Sequence, residues 1–330
     1  QPMGFYPPAT LVRDAQRRGV RVLPPCIRRS EATCTVEDGA VRIGLGYVRE
    51  VRREAAERLT AERAADGPFR HMADLAARAD LRREQLAQLV RAGACDDLAE
   101  QPTPVTSGNG STGARGAAAV GPPGVVPAAA HKGSRRAMLW ELGVLARPRA
   151  GAAGVQMALP IPTGPAPPLP ELGRFERTLT DYETTGLSTG WHLVALVRSG
   201  LPPGVLTAAQ LRNTPHGTRV CVAGLVVARQ RPATAGGIVF LLLEDETGMT
   251  NGIVRPEVYE RHRAAVRAEP LLLVWGRLER QERAMNVVVS RLERIEPPVE
   301  QPAGTLAGVE GMARVRAAAP EGQHFGRGRR

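Results

Sequence analysis

The sequence predicts a multidomain α+β chain in which a helical region precedes an all-β barrel, with disordered linkers and a disordered tail. Three observations carry this reading. Between residues 40 and 98, apolar positions recur at helical spacing in short segments stopped by Gly or Pro. Between residues 218 and 296, short β-rich runs alternate with turn signals. Residues 99–133 and the chain after residue 296 show neither period.

From the N-terminus, Pro2-Met3-Gly4-Phe5-Tyr6-Pro7-Pro8 is an extended, turn-rich entry to a helix spanning about Ala9 to Arg18. Prolines precede that helix and Gly19 follows it as a left-handed cap. Val20 to Leu23 reads as a short strand closed by Pro24-Pro25. One helix and one strand are too little for a domain, so residues 1–39 read as the end of something larger. In 40–98, Ile43 to Val48 leads into a helix broken near Val51, which Glu54 to Arg63 continues and Gly67-Pro68-Phe69 stops. Met72 to Ala77 and Arg83 to Arg91 form two more helices, the second with Leu86, Leu89 and Val90 on one face and Gly93 as its cap. Two short helices, a tight turn and the same again outline a tandem helix-hairpin-helix.

Residues 99–133 are a linker rich in Gly, Pro, Ser, Thr and Ala. Residues 134–217 read as a helical connector, with helices near Ser134 to Ala146 and Phe175 to Tyr182 around a Pro-rich stretch. Strands follow at Arg219 to Val227, Ile238 to Leu243 and Met249 to Val254, then a helical stretch from Glu257 to Val266. Two more strands, Leu271 to Leu278 and Met285 to Leu292, complete residues 218–296. Five strands with a helix between the third and fourth is the order of an oligonucleotide-binding (OB) fold. Residues 297–330 are a basic tail without periodicity.

A chain of 330 residues holds two or three such domains. Its net charge of +11 favours a polyanionic partner, although Lys132 is its single lysine and high-GC coding also enriches arginine. Cys26, Cys34, Cys95 and Cys221 are too far apart for a zinc site or a disulfide framework, and reduced thiols in a cytosol are the expectation. No apolar run is long enough to span a membrane.

A helix-hairpin-helix grips a nucleic-acid backbone by pointing hairpin N–H groups at a phosphate, and glycine leaves room for that approach. Here the hairpin reads Glu50-Val51-Arg52-Arg53, without the glycines that normally flank the central apolar residue, and Glu50 would repel a phosphate. Arg49, Arg52 and Arg53 could supply charge, or could be solvated arginines on a helical surface. In the barrel, Phe240 and Trp275 could stack on bases, and Arg229, Arg231, Arg255, Arg277 and Arg280 could track a backbone. The plainer alternative makes Phe240 core and Trp275 an outward hydrophobe. Glutamates and aspartates nearly balance the barrel arginines, which argues against tight salt-driven binding by the barrel alone. Glu244-Asp245-Glu246 sits at a strand turn and reads as turn chemistry, since consecutive strand carboxylates point alternately. No residue pattern for catalysis stands out.

Gln1-Pro2-Met3-Gly4-Phe5-Tyr6 with Pro8-Ala9-Thr10-Leu11-Val12 resembles the end of the fingers region of bacterial C-family DNA polymerases. Gly44-Leu45-Gly46, Gly67-Pro68-Phe69, and Ala92-Gly93-Ala94 with Asp96 are similar to the helix-hairpin-helix region of that family. Arg135-Arg136-Ala137-Met138-Leu139-Trp140, then Asp181 to Ser188, and finally Leu243 to Gly248 in the barrel continue the same order. Within the family the resemblance is to the error-prone type rather than the replicative alpha subunit, because no further folded domain follows the barrel. It implies a C-terminal portion of a nucleotidyltransferase acting in damage-induced mutagenesis and translesion synthesis. The hairpins would hold product duplex and the barrel single-stranded template. The resemblance also implies a Y-family-like adaptor and the sliding clamp as partners, and a cytoplasmic location. The Mg2+ expected for the parent enzyme would sit on palm carboxylates that precede this segment, leaving no cofactor and no activity here alone. The alternatives are a non-catalytic barrel that docks partner proteins such as the adaptor and sliding clamp, and the same region of a replicative alpha subunit.

Overall fold

The computed structural model describes residues 7–98, 134–145, 149–151, 154–156, 167–281, 284–296 and 309–318. The chain forms two compact units, Gly19–Leu172 and a second made of Gln1–Arg18 with Gly173–Arg330. The division falls at Arg18/Gly19, inside the segment 1–39 that the sequence presents as one piece. Helix α1 (Pro8–Arg17) therefore belongs to the barrel-bearing unit. The linker expected at 99–133 lies outside the described residues.

The helical unit begins with a small three-stranded sheet, of which the sequence indicated the first strand at Val20 to Leu23 and not the other two. β1 (Val22–Leu23) runs parallel to β3 (Ala40–Arg42), and β2 (Thr35–Glu37) pairs antiparallel with β3 through the Asp38-Gly39 turn. A Cβ at Gly44 would lie 2.4 Å from the Thr33 carbonyl carbon, so glycine is obligatory where the chain leaves this sheet. A 3-10 turn at Leu45–Tyr47 then leads to α2 (Arg53–Asp66), α3 (Met72–Arg78), α4 (Arg83–Arg91) and α5 (Arg135–Val144). Their apolar faces share one core that includes Leu45, Val51, Leu59, Phe69, Leu86 and Leu89. β4 (Arg149–Gly151) and β5 (Gly154–Gln156) form a short antiparallel pair. Arg135 on α5 is buried with Asp96, its Nε 3.0 Å from Oδ1 and Nη2 3.0 Å from Oδ2. The same guanidinium donates to the Arg91 carbonyl at 2.9 Å, beside the left-handed cap Gly93. Motif residues far apart in sequence thus converge on one buried, hydrogen-bonded ion pair.

The second unit adds α6 (Arg174–Thr185), α7 (Leu193–Val197), β6 (Val205–Leu206) and α8 (Ala208–Arg212) to α1 before the barrel begins. β7 (Arg219–Gln230), β8 (Val239–Asp245) and β9 (Gly248–Val254) form a meander. Helices α9 (Pro256–Arg261) and α10 (Arg263–Ala268) precede β10 (Leu271–Gln281) and β11 (Ala284–Arg294). The order β10-β11-β9-β8-β7, with β10 also paired to β7, closes a five-stranded OB barrel. β6 adds to β7 in parallel outside the ring. Val222, Val226, Leu241, Leu243, Leu272, Val274, Val287 and Leu292 fill the interior. At the β10 bulge a Cβ on Gly276 would lie 2.4 Å from the Val288 carbonyl oxygen, so only glycine lets β11 cross there.

The tail, expected to be disordered throughout, contains a helix, α11 (Val309–Ala318). Arg314 reaches both Glu183 carboxylate oxygens at 2.8 Å, Arg316 reaches Glu269 at 2.5 Å, and Val315 is buried. Long-range ion pairs, rather than an apolar stripe, mark it as part of the fold.

α1 is held in its own unit by Arg13, which donates to the Gly190 and Trp191 carbonyls at 2.8 and 2.6 Å. Beside it, His192 is buried and caps α7 by accepting the Val194 N–H at Nδ1 (3.1 Å). Burial first, then the positive field of Arg13, Arg17 and Arg198, hold its pKa well below the ordinary histidine value. The folded state therefore keeps His192 neutral, while the unfolded chain takes up a proton as pH falls through about 6.5. Stability from this group is present above that pH and is lost below it. Thermal unfolding should show Tm falling between about pH 7 and pH 5.5, with His192→Asn, which keeps a capping acceptor, flattening that loss. An unchanged slope in the variant would contradict the assignment.

Candidate nucleic-acid interface

The first hairpin turns at Val48-Arg49-Glu50-Val51, where the Val51 N–H donates to the Val48 carbonyl at 3.0 Å. Val48 and Val51 are buried, so the turn is pinned from below while Arg49, Glu50 and Arg52 face solvent. Glu50 has φ +66, the left-handed conformation that favours glycine. The Gln85 side chain, which accepts the Arg82 N–H at 2.9 Å, donates to the Glu50 carbonyl at 2.9 Å. The hairpin conformation thus persists without its glycine, locked by an amide from the start of α4. Arg53 is paired with Glu57 at 2.8 Å, whereas among the described residues Arg49 and Arg52 make no ion pair.

On the barrel, register defines an outward face. Gln230 lies opposite Phe240, Phe240 opposite Ile253, and Ile253 beside Val288. One step along, Ala228, Leu242, Asn251 and Asn286 form a second row. Alternating residues Val239, Leu241 and Leu243 point into the core, which leaves Phe240 and Leu242 half-buried outside it. These rows line a groove of about 310 Å³ bounded by Gln230, Phe240, Leu242, Asn251 and Asn286. Arg255 follows the Ile253 row at the end of β9, is exposed, and makes no side-chain hydrogen bond or ion pair among the described residues. Arg231 follows Gln230 and stacks over the Tyr259 ring at 4.7 Å. Both cations stand at one end of an uncharged groove.

The remaining sequence candidates occupy other places. Arg229 donates to the carbonyls of Val266 (2.8 Å) and Glu269 (2.5 Å), and burial lowers its pKa. Arg280 donates to the carbonyls of Leu211, Arg212 and Thr214, and Arg277 to that of Gly217 at 3.0 Å. Arg280 thereby ties β10 to α8 and the loop after it, while Arg277 is exposed and engages Gly217 through its Nε. Trp275 pairs across the sheet with Cys221 and Arg291, and the Arg291 guanidinium lies 4.8 Å from its ring. Cys221 and Gln230 stand at opposite ends of β7, roughly 25–30 Å of strand apart. Trp275 and Phe240 therefore do not share one platform. Gln230, Leu242, Asn251 and Asn286, which complete the groove, escaped the sequence reading. The available signal was their outward position in register with Phe240.

The acidic turn is fully committed. Glu244 is buried against Arg17 at 2.9 Å, and desolvation raises its pKa while Arg17 pulls it back. Asp245 accepts the Ala208, Thr247 and Gly248 N–H groups, and Glu246 pairs with Arg198 at 3.0 Å. Among the described residues no three His, Cys, Asp or Glu side chains converge as a metal site. No described helix is long and apolar enough to cross a membrane.

Residues 19–103 match the helix-hairpin-helix motif family and residues 220–295 the OB-fold nucleic acid binding domain family. The error-prone DNA polymerase of Nocardia farcinica is 39% identical over 299 residues, which cover 89% of this chain and 23% of that protein. That of Mycobacterium tuberculosis is 38% identical over 299 residues, with 89% and 24% covered. The chain is homologous to a segment of the error-prone DNA polymerases. It spans about a quarter of the length of these curated relatives, and its two domains fit the C-terminal part of such a polymerase. Among solved structures, the asparaginyl-tRNA synthetase of Pyrococcus horikoshii matches 25% of this chain and 21% of its own, at 28% identity and a TM-score of 0.22.

Relieving the left-handed carboxylate should stabilise the hairpin. Glu50→Gly is expected to raise the Tm of the helical unit, reflecting about 1 kcal/mol of removed backbone strain. A lowered Tm in calorimetry would show that the turn does not carry that strain.

Proposed function

We propose that this chain is the DNA-binding C-terminal part of an error-prone DNA-directed DNA polymerase that serves damage-induced mutagenesis and translesion synthesis. The observation that carries the reading is the barrel's outer groove, an aromatic and amide-lined surface with Arg231 and Arg255 at one end. Single strands bind such surfaces by stacking bases on the sheet and placing phosphates against flanking cations. The hairpin at Val48 to Val51, with Arg49 and Arg52 exposed, contributes a second and weaker contact to duplex, because Glu50 sets a negative charge where a phosphate would approach. Nucleotidyl transfer, and the Mg2+ that aligns primer and triphosphate, belong in this proposal to palm carboxylates of the parent enzyme. A Y-family-like adaptor and the sliding clamp are the proposed protein partners, in the cytoplasm.

Filter binding of the purified chain to single-stranded and primer-template DNA tests this. Affinity should fall steeply as salt rises from about 50 to 200 mM, reflecting counterions displaced from phosphates. Arg255→Ala should weaken single-strand binding and reduce the salt slope by about one. Absence of binding to either DNA at low salt would contradict the proposal.

A further inference from the structure

We infer that the barrel groove reads the hydrogen-bonding edge of an unpaired nucleobase through the side-chain amides of Asn251, Asn286 and Gln230, with the base stacked on Phe240. The inference rests on the single-strand reading above and goes beyond it, from gripping a strand to distinguishing its bases. Asn251 and Asn286 are register partners on the parallel strands β9 and β11, so their carboxamides emerge side by side. Among the described residues neither amide, nor that of Gln230, makes a side-chain hydrogen bond. Each offers one acceptor oxygen and two donor hydrogens.

That donor and acceptor mixture decides the ligand. A phosphate presents acceptors alone and would leave the amide oxygens facing like partners. A base edge presents donors and acceptors next to each other, the pattern a carboxamide matches in two hydrogen bonds. The groove residues carry no formal charge, and the free cation Arg255 stands beyond the end of the Ile253 row rather than within it. A strand lying across this face would therefore set its phosphates at Arg255 and Arg231 and turn a base inward over Leu242 and Phe240. Discrimination of this kind should be nearly independent of salt, because the groups that confer it are neutral. The phosphate contribution keeps its ordinary salt dependence.

Fluorescence anisotropy with the full chain separates the two contributions. The probes are dT, dA and dC homopolymers and a strand of equal length built from abasic sugar-phosphate. The abasic strand should bind about tenfold or more weaker than the best homopolymer, and that ratio should persist between about 50 and 200 mM salt. Asn251→Ala combined with Asn286→Ala should collapse the differences among homopolymers while leaving abasic affinity unchanged. Both positions face outward, and an unaltered circular dichroism spectrum confirms the fold of the variant. Phe240→Leu, which keeps an apolar side chain on the strand, should lower affinity for base-bearing strands but not for the abasic one. Equal affinity for abasic and base-bearing strands would overturn base reading and leave DNA binding standing, as would a double variant that keeps the homopolymer differences. No binding to any strand at low salt would remove the DNA-binding reading and this inference together.

Discussion

Closure of the barrel is the constraint on which the second unit depends. β10 hydrogen-bonds to β7 along one edge and to β11 along the other, so each strand of the ring finds partners within it. The interior then forms a core of its own from Val222, Val226, Leu241, Val274 and Val287. Because strand side chains alternate, this core fixes which residues must point outward. Helix α7 packs on β7 and β8, α8 on β9, and α9 and α10 on β11. The outward residues Gln230, Phe240, Leu242, Asn251 and Asn286 are not needed to fill the core, and their composition is open to a binding role.

The helical unit separates conformation from chemistry differently. Its hairpin is held by buried Val48 and Val51 and by the Gln85 amide, so the turn keeps its shape although glycine has been replaced by Glu50. What changes is the charge and bulk presented to a ligand. Arg49 and Arg52 remain exposed beside that carboxylate, and the net field at the turn is the sum of opposed terms.

Much of this fold was legible in the sequence. The five barrel strands and the helices α2 to α4 follow directly from period and from Gly or Pro stops. Of the small sheet only β1 was legible, ahead of Pro24-Pro25, since the three-residue strands β2 and β3 carry too little pattern. Helix α11 was missed because its docking relies on Arg314 and Arg316 meeting carboxylates far away in sequence. At the interface the difficulty was the apolar run Val239-Phe240-Leu241-Leu242-Leu243, in which both faces read alike. Register with β9 and β11 resolves it by placing Asn251 and Asn286 beside Leu242. The arginines were ambiguous for a related reason. Whether a guanidinium meets a phosphate or a backbone carbonyl depends on contacts such as Arg229 with Val266 and Arg280 with Leu211, which local sequence does not encode.

In the proposed binding mode, single-stranded DNA lies across the outer face of β8, β9 and β11. Titrating a short single strand into 15N-labelled protein and following backbone and side-chain amide signals tests it most directly. The largest shifts are expected at Gln230, Phe240, Asn251 and Asn286, with the side-chain NH2 signals of the two asparagines among them. Shifts centred instead on Trp275 and its neighbours Cys221 and Arg291, with the groove amides unmoved, would contradict it.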